Sequence, residues 1–125
     1  MEVIILERPQ DAAAVVAEAY TRSLTARPDA VLGLATGSTP LGVYDELVRR
    51  HRSEGLSFAR ARAFLLDEYV GLPAGHPARY RAVIEGDFTG QVDLDPAAVV
   101  GPDGGADDLE AAGRAYDQAI RDAGG

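Results

Sequence analysis

No cysteine and no lysine occur among the 125 residues. The first absence excludes disulfides, thiolate metal sites and a cysteine nucleophile. The second excludes a Walker-type phosphate lysine and Schiff-base catalysis from this chain, whose 12 basic residues are all arginine. Long apolar runs are also missing. After Met1 and Glu2, only Val3 to Leu6 is a continuous hydrophobic stretch, too short and without the basic flank of a signal peptide or membrane span. A cytoplasmic location is expected. Positive charge is scarce as well: the formal net charge of -8 argues against nucleic acid or an anionic membrane as partner, since both reward clustered basic residues. A small molecule is the expected partner. Of the two histidines, His51 is read onto the solvated face of a helix among Arg49, Arg50 and Arg52, and His76 into a loop that could reach a site. Neither has a second histidine or carboxylate at metal-ligand spacing, so no metal is expected.

What is present suits one domain, because 125 residues with 46% hydrophobic content can build one core. Short continuous apolar runs alternate with segments of 3.6-residue apolar spacing, the pattern of a mostly parallel α/β sheet in a Rossmann-like, three-layer αβα fold. Strands are expected at Val3 to Leu6, Ala30 to Ala35 and Ala61 to Leu66. A helix from near Asp11 to Pro28 carries Val16, Tyr20 and Leu24 at i, i+4 and i+8. The next opens with Thr39 as N-cap and Pro40 as first helical residue, turns Val43, Tyr44, Leu47 and Val48 inward, and stops near Gly55. Gly71 to Val100 is rich in Pro, Gly and Asp, with one short helix around Ala78 to Glu85. A last helix starts near Asp107, has an acidic first turn in Asp107, Asp108 and Glu110, and places Leu109, Ala112, Tyr116 and Ile120 on one face. The closing Gly124 and Gly125 form a helix stop that should hand over to a further strand. The domain therefore reads as cut short, its open edge covered by a second chain, as in a homo-oligomer, or by more of a longer protein.

Two stretches carry chemistry. In "LGLATGSTPLG", Leu32 to Gly42, a buried strand passes through a small-residue turn into a helix N-terminus. Such a turn aims backbone N–H groups and the positive helix end at one place, an anion site to which Thr36, Gly37, Ser38 and Thr39 contribute amides and hydroxyls. It is neither a Walker loop nor a dinucleotide fingerprint, and an ordinary well-capped turn has the same pattern. In "FLLDEYVGLP", Phe64 to Pro73, Asp67 and Glu68 follow the third expected strand at its carboxyl end, the rim where open α/β sheets bind ligands. Successive residues leave a strand on opposite sides, so one acid faces a ligand and the other supports structure. A partly desolvated carboxylate there can take a proton from carbon beside a carbonyl or imine. The alternative is a pair of acids in solvent or bound to Arg60 or Arg62.

Together "VLGLATGSTPLGVYDELVRRH", "LSFARARAFLLDEYVGLPAGHPARY" and "LEAAGRAYDQAI" make the chain resemble the N-terminal half of glucosamine-6-phosphate deaminase. The related 6-phosphogluconolactonases share the glycine turn but usually have arginine at the place of Tyr69 and lack the G-L-P continuation. The resemblance implies an enzyme that turns glucosamine 6-phosphate and water into fructose 6-phosphate and ammonia with no cofactor. It implies Asp67 as the base at C2 of the opened sugar, Thr36 to Thr39 as the substrate and phosphate loop, and Glu68 and Tyr69 as supporting residues. It also implies that the ring-opening histidine, in a D-G-H segment, and the remaining phosphate-binding basic residues come after Gly125. Arg79 stands where deaminases typically place serine. A second class of function resembles this fold too: sugar-phosphate-binding regulatory modules need the loop but not the base.

Overall fold

The computed structural model describes residues 3–125. Helix α1 (Pro9–Ala26) opens with proline in its first turn and an Arg8–Asp11 side-chain pair, and it buries Ala17 and Leu24 with half-buried Tyr20 between them. Strand β1 (Val31–Leu34) follows, and then α2 (Ser38–Glu54), which buries Tyr44, Leu47 and Val48 at i, i+3 and i+4. Strand β2 (Arg62–Leu65) leads to α3 (Tyr80–Asp87), two 3-10 turns, strand β3 (Val99–Val100) and α4 (Leu109–Asp122).

The strands form one parallel sheet in the order β1-β2-β3, with Leu32 opposite Ala63, Leu34 opposite Leu65, and Ala63 opposite Val99. Alternation along each strand puts those residues on one face, where they join a single core with α1, α2 and α3. At its centre the Tyr44 ring stacks on Phe88 at 4.9 Å, and Phe58 meets Phe88 edge-on at 5.4 Å. Gly33, Phe64 and Val100 point to the other face, where Tyr116 of α4 packs edge-on against Phe64 at 5.8 Å. Helices thus lie on both faces of a parallel sheet, as the alternating pattern predicts.

Three differences from the sequence expectation have physical causes. Val3 to Leu6 forms no strand; its side chains are exposed, Ile5 by 91%, because extended backbone becomes a strand only beside a hydrogen-bonded neighbour and none lies there among the described residues. The two-residue β3, inside a segment read as loop, is too short to show a period and exists through pairing with β2. His51 is half-buried rather than solvated: its Nδ1 donates to the Leu56 carbonyl at 2.7 Å and its ring meets Phe58 edge-on.

Candidate functional site

Three phenols set the carboxyl ends of the strands. Tyr20 donates to the Gly33 carbonyl at 2.9 Å. Tyr44 donates to the Ala35 carbonyl at 2.6 Å and accepts the Ala35 N–H at 3.1 Å, tying down both polar groups of the residue that leaves β1. Burial pushes the Tyr44 phenol up to about 12, so it stays a donor throughout the physiological range. Tyr116 donates to the Leu65 and Val100 carbonyls, the last residues of β2 and β3.

From the end of β1 thus held, the chain turns through Thr36 and Gly37 into α2. Gly37 is the N-cap, two residues earlier than the expected Thr39, so Ser38, Thr39 and Pro40 all lie within the first helical turn. Pro40 is tolerated there because the first N–H groups of a helix have no intrahelical partner. Gly37 has φ 113°, a conformation strained for any residue with a side chain, and no atom lies within 4 Å of where a Cβ would stand. No side chain caps this helix start, whereas at α4 the Asp108 carboxylate accepts the Ala111 N–H at 2.9 Å. The turn therefore offers open space beside uncapped amides at the positive end of a 17-residue helix.

The second loop leaves β2 next to it, since the Leu66 N–H donates to the Leu34 carbonyl at 3.2 Å. Asp67 follows and is exposed. Glu68 goes the opposite way: its side chain is 1% exposed, and its carboxylate accepts the N–H groups of Tyr69 and Tyr80 at 2.9 Å and of Arg81 at 3.3 Å. Burial pushes the Glu68 carboxyl up, but the Tyr80, Tyr69 and Arg81 amides and the Arg79 charge together hold it below the ordinary glutamate value. Glu68 is thus an ionised cap for α3, whose own N-cap residue Arg79 supplies no side-chain bond.

That cap brings Tyr80 to the rim. Its ring lies 4.7 Å from that of Tyr69, tilted by 46°. The neighbouring Tyr69 phenol, burial and the negative charge of Asp67 push the Tyr80 phenol above its ordinary value, with the Thr36 hydroxyl opposing. Tyr69 and Tyr80 therefore pack together on the loop that follows β2. Ser38 and Thr39 instead line a cavity of about 420 Å³ with Pro9, Gln10 and Val43, between the starts of α1 and α2.

Two contributors carry little signal in local sequence. Nothing local to Tyr80 shows that a glutamate 12 positions earlier caps its helix. Gly104 is buried under the second loop: its carbonyl accepts the Gly71 N–H at 2.9 Å, and a Cβ on it would stand 2.1 Å from the Tyr69 carbonyl oxygen. The double glycine after Asp103 is the one sequence signal of that close approach.

Residues 7–125 match the family described as glucosamine-6-phosphate isomerases/6-phosphogluconolactonase. A glucosamine-6-phosphate deaminase of Mycolicibacterium smegmatis is 61% identical over 125 residues, covering 100% of this chain and 48% of the relative. One of Beutenbergia cavernae is 59% identical with the same coverage. Among solved structures, a monomeric glucosamine-6-phosphate deaminase superposes with a TM-score of 0.94 at 38% identity, over 99% of this chain and 52% of that one. The 6-phosphogluconolactonase of Thermotoga maritima, at 24% identity and a TM-score of 0.71, shares the fold over 96% of this chain and 53% of its own. The chain spans about half the length of the curated relatives it matches. With its anion-type turn and its carboxylate-bearing loop on one rim of a parallel sheet, the chain belongs to the glucosamine-6-phosphate isomerase/6-phosphogluconolactonase family.

Proposed function

We propose that this chain carries the proton-transfer part of a glucosamine-6-phosphate deaminase, releasing ammonia and fructose 6-phosphate from glucosamine 6-phosphate and water. The observation that supports it most is the placement of Asp67, exposed at the carboxyl end of β2 beside the turn that opens α2. In this reading Asp67 takes the proton from C2 of the opened sugar. The C–H electron pair forms the C1–C2 double bond while the aldehyde oxygen gains a proton, and return of a proton to C1 leaves an imine at C2. Water then adds to that imine and ammonia departs.

The other roles follow from geometry. The α2 turn, Thr36 to Thr39, holds the substrate's anionic and hydroxyl groups through amides and the Thr36 hydroxyl. Tyr69 and Tyr80 form a phenolic wall beside Asp67, and Glu68 holds the loop in place from behind. We place the protein in the cytoplasm; among the described residues no helix is long and apolar enough to cross a membrane.

Asp67→Asn, in the protein carried to the length of its relatives, tests the reading. Ammonia release should fall on the order of 10³-fold, the range of a lost general base, while glucosamine 6-phosphate still binds. Unchanged turnover would sink the assignment. Hydrolysis of 6-phosphogluconolactone in place of ammonia release would move the protein to the other activity of its family.

A further inference from the structure

Arg79 has no part in the scheme above, and it holds an unusual position. It precedes α3 directly, its side chain is 23% exposed, and its Nε lies 3.5 Å from a Glu68 carboxylate oxygen. That Nε is buried and makes no hydrogen bond among the described residues. A buried donor without a bond costs free energy, so its place beside Glu68 needs an electrostatic reason. Glu68 supplies one. Its carboxylate is almost wholly removed from water and otherwise meets only neutral donors, the amides of Tyr69, Tyr80 and Arg81. The Arg81 guanidinium is engaged elsewhere, donating to the Val99 and Pro96 carbonyls. Arg79 is therefore the cation facing the buried carboxylate.

Resting on the deaminase reading of the site, we propose that Arg79 is a positioning residue: its charge holds Glu68 against the first amides of α3 and so fixes the turn that presents Asp67 and Tyr69. It acts through Glu68 rather than on the substrate. The consequence for the reaction is a loss of alignment, which lowers kcat more than it raises KM.

Two measurements test this. Amide hydrogen exchange at Tyr69, Tyr80 and Arg81 should quicken about 10-fold in Arg79→Ala and less in Arg79→Lys, which keeps the charge. Unchanged exchange overturns the proposal, whatever the activity. In steady-state turnover of glucosamine 6-phosphate, Arg79→Ala should lower kcat about 10-fold with KM nearly constant, and should add little in a Glu68→Gln background. An equal loss in both backgrounds, or a rise in KM alone, overturns it by showing that Arg79 acts on the substrate directly. If Arg79→Ala does not fold, Arg79→Lys and Arg79→Gln carry the same comparison. If the wild-type protein at the length of its relatives releases no ammonia, the deaminase reading is defeated instead, and the exchange rates still decide the role of Arg79.

Discussion

At the scale of single residues, adjacent acids with the same chemistry receive opposite environments. Asp67 is exposed, while the Glu68 side chain is 1% exposed and surrounded by N–H groups. The strand exit explains the split, since consecutive side chains leave β2 on opposite sides. Only the packing of α3 explains why the inner acid stays charged there. The same loop depends on a residue with no side chain at all. Gly104 lets the segment after β3 lie against the Tyr69 carbonyl, and a methyl group there would overlap that oxygen at 2.1 Å. Gly104→Ala should therefore destabilise the protein by about 1–3 kcal/mol as the two backbones separate. Thermal unfolding measures that cost, and ammonia release should fall with it because Tyr69 and Asp67 move together.

At the scale of elements, the connections that hold the site are polar and mostly non-local. The segment "LSF" before β2 illustrates this. Phe58 enters the core, and Asp93 gathers the preceding residues by accepting the Ser57 hydroxyl and the Phe58 N–H, each at 2.7 Å. Burial pushes the Asp93 carboxyl up, but these bonds and nearby His51 hold it below the ordinary aspartate value. Asp93→Ala leaves both donors without their acceptor and should cost about 1–3 kcal/mol in a denaturant titration. A second element-level pairing lies on α2, where Glu46 accepts from Arg49 and Arg50, and Arg50 also reaches Glu18 and Thr21 of α1. Hydrogen bonds from Arg49 and Arg50 hold the Glu46 carboxyl down at about 2, from an ordinary value of 4.5. A depressed acid contributes stability that is complete above its unfolded value and is lost as pH falls through its folded one. Thermal stability should therefore decline from pH about 4.5 toward about 2, and Glu46→Gln should flatten that part of the profile.

At the scale of the whole molecule, the tyrosines of three different helices anchor the sheet's carboxyl rim. Tyr116 is the clearest case, because its one hydroxyl meets the terminal carbonyls of β2 and β3 while its ring covers Phe64. Tyr116→Phe keeps the ring contact and removes the hydroxyl, so unfolding free energy should fall by about 0.5–1.5 kcal/mol. Hydrogen exchange at the ends of β2 and β3 should rise with it, and unaltered protection there would show that the hydroxyl does not hold the rim.

Much of this molecule is legible from local pattern. The apolar spacing of α1, α2 and α4, the strand–turn–helix around "TGSTP" and the carboxylates after "FLL" are properties of short windows, and the structure places them within a few residues of expectation. The sequence by itself also determined that this chain has no thiol or lysine chemistry, since no fold can supply an absent side chain. Tertiary structure decided the rest: that Val99 and Val100 are a strand while Val3 to Leu6 is not, that Glu68 turns inward, that Arg79 faces it, and that Tyr80 packs against Tyr69 at the rim. Each of those outcomes depends on a partner many residues away. A carboxylate's burial, a strand's ladder and a glycine's crowding are set by what arrives from elsewhere in the chain, which no local period encodes.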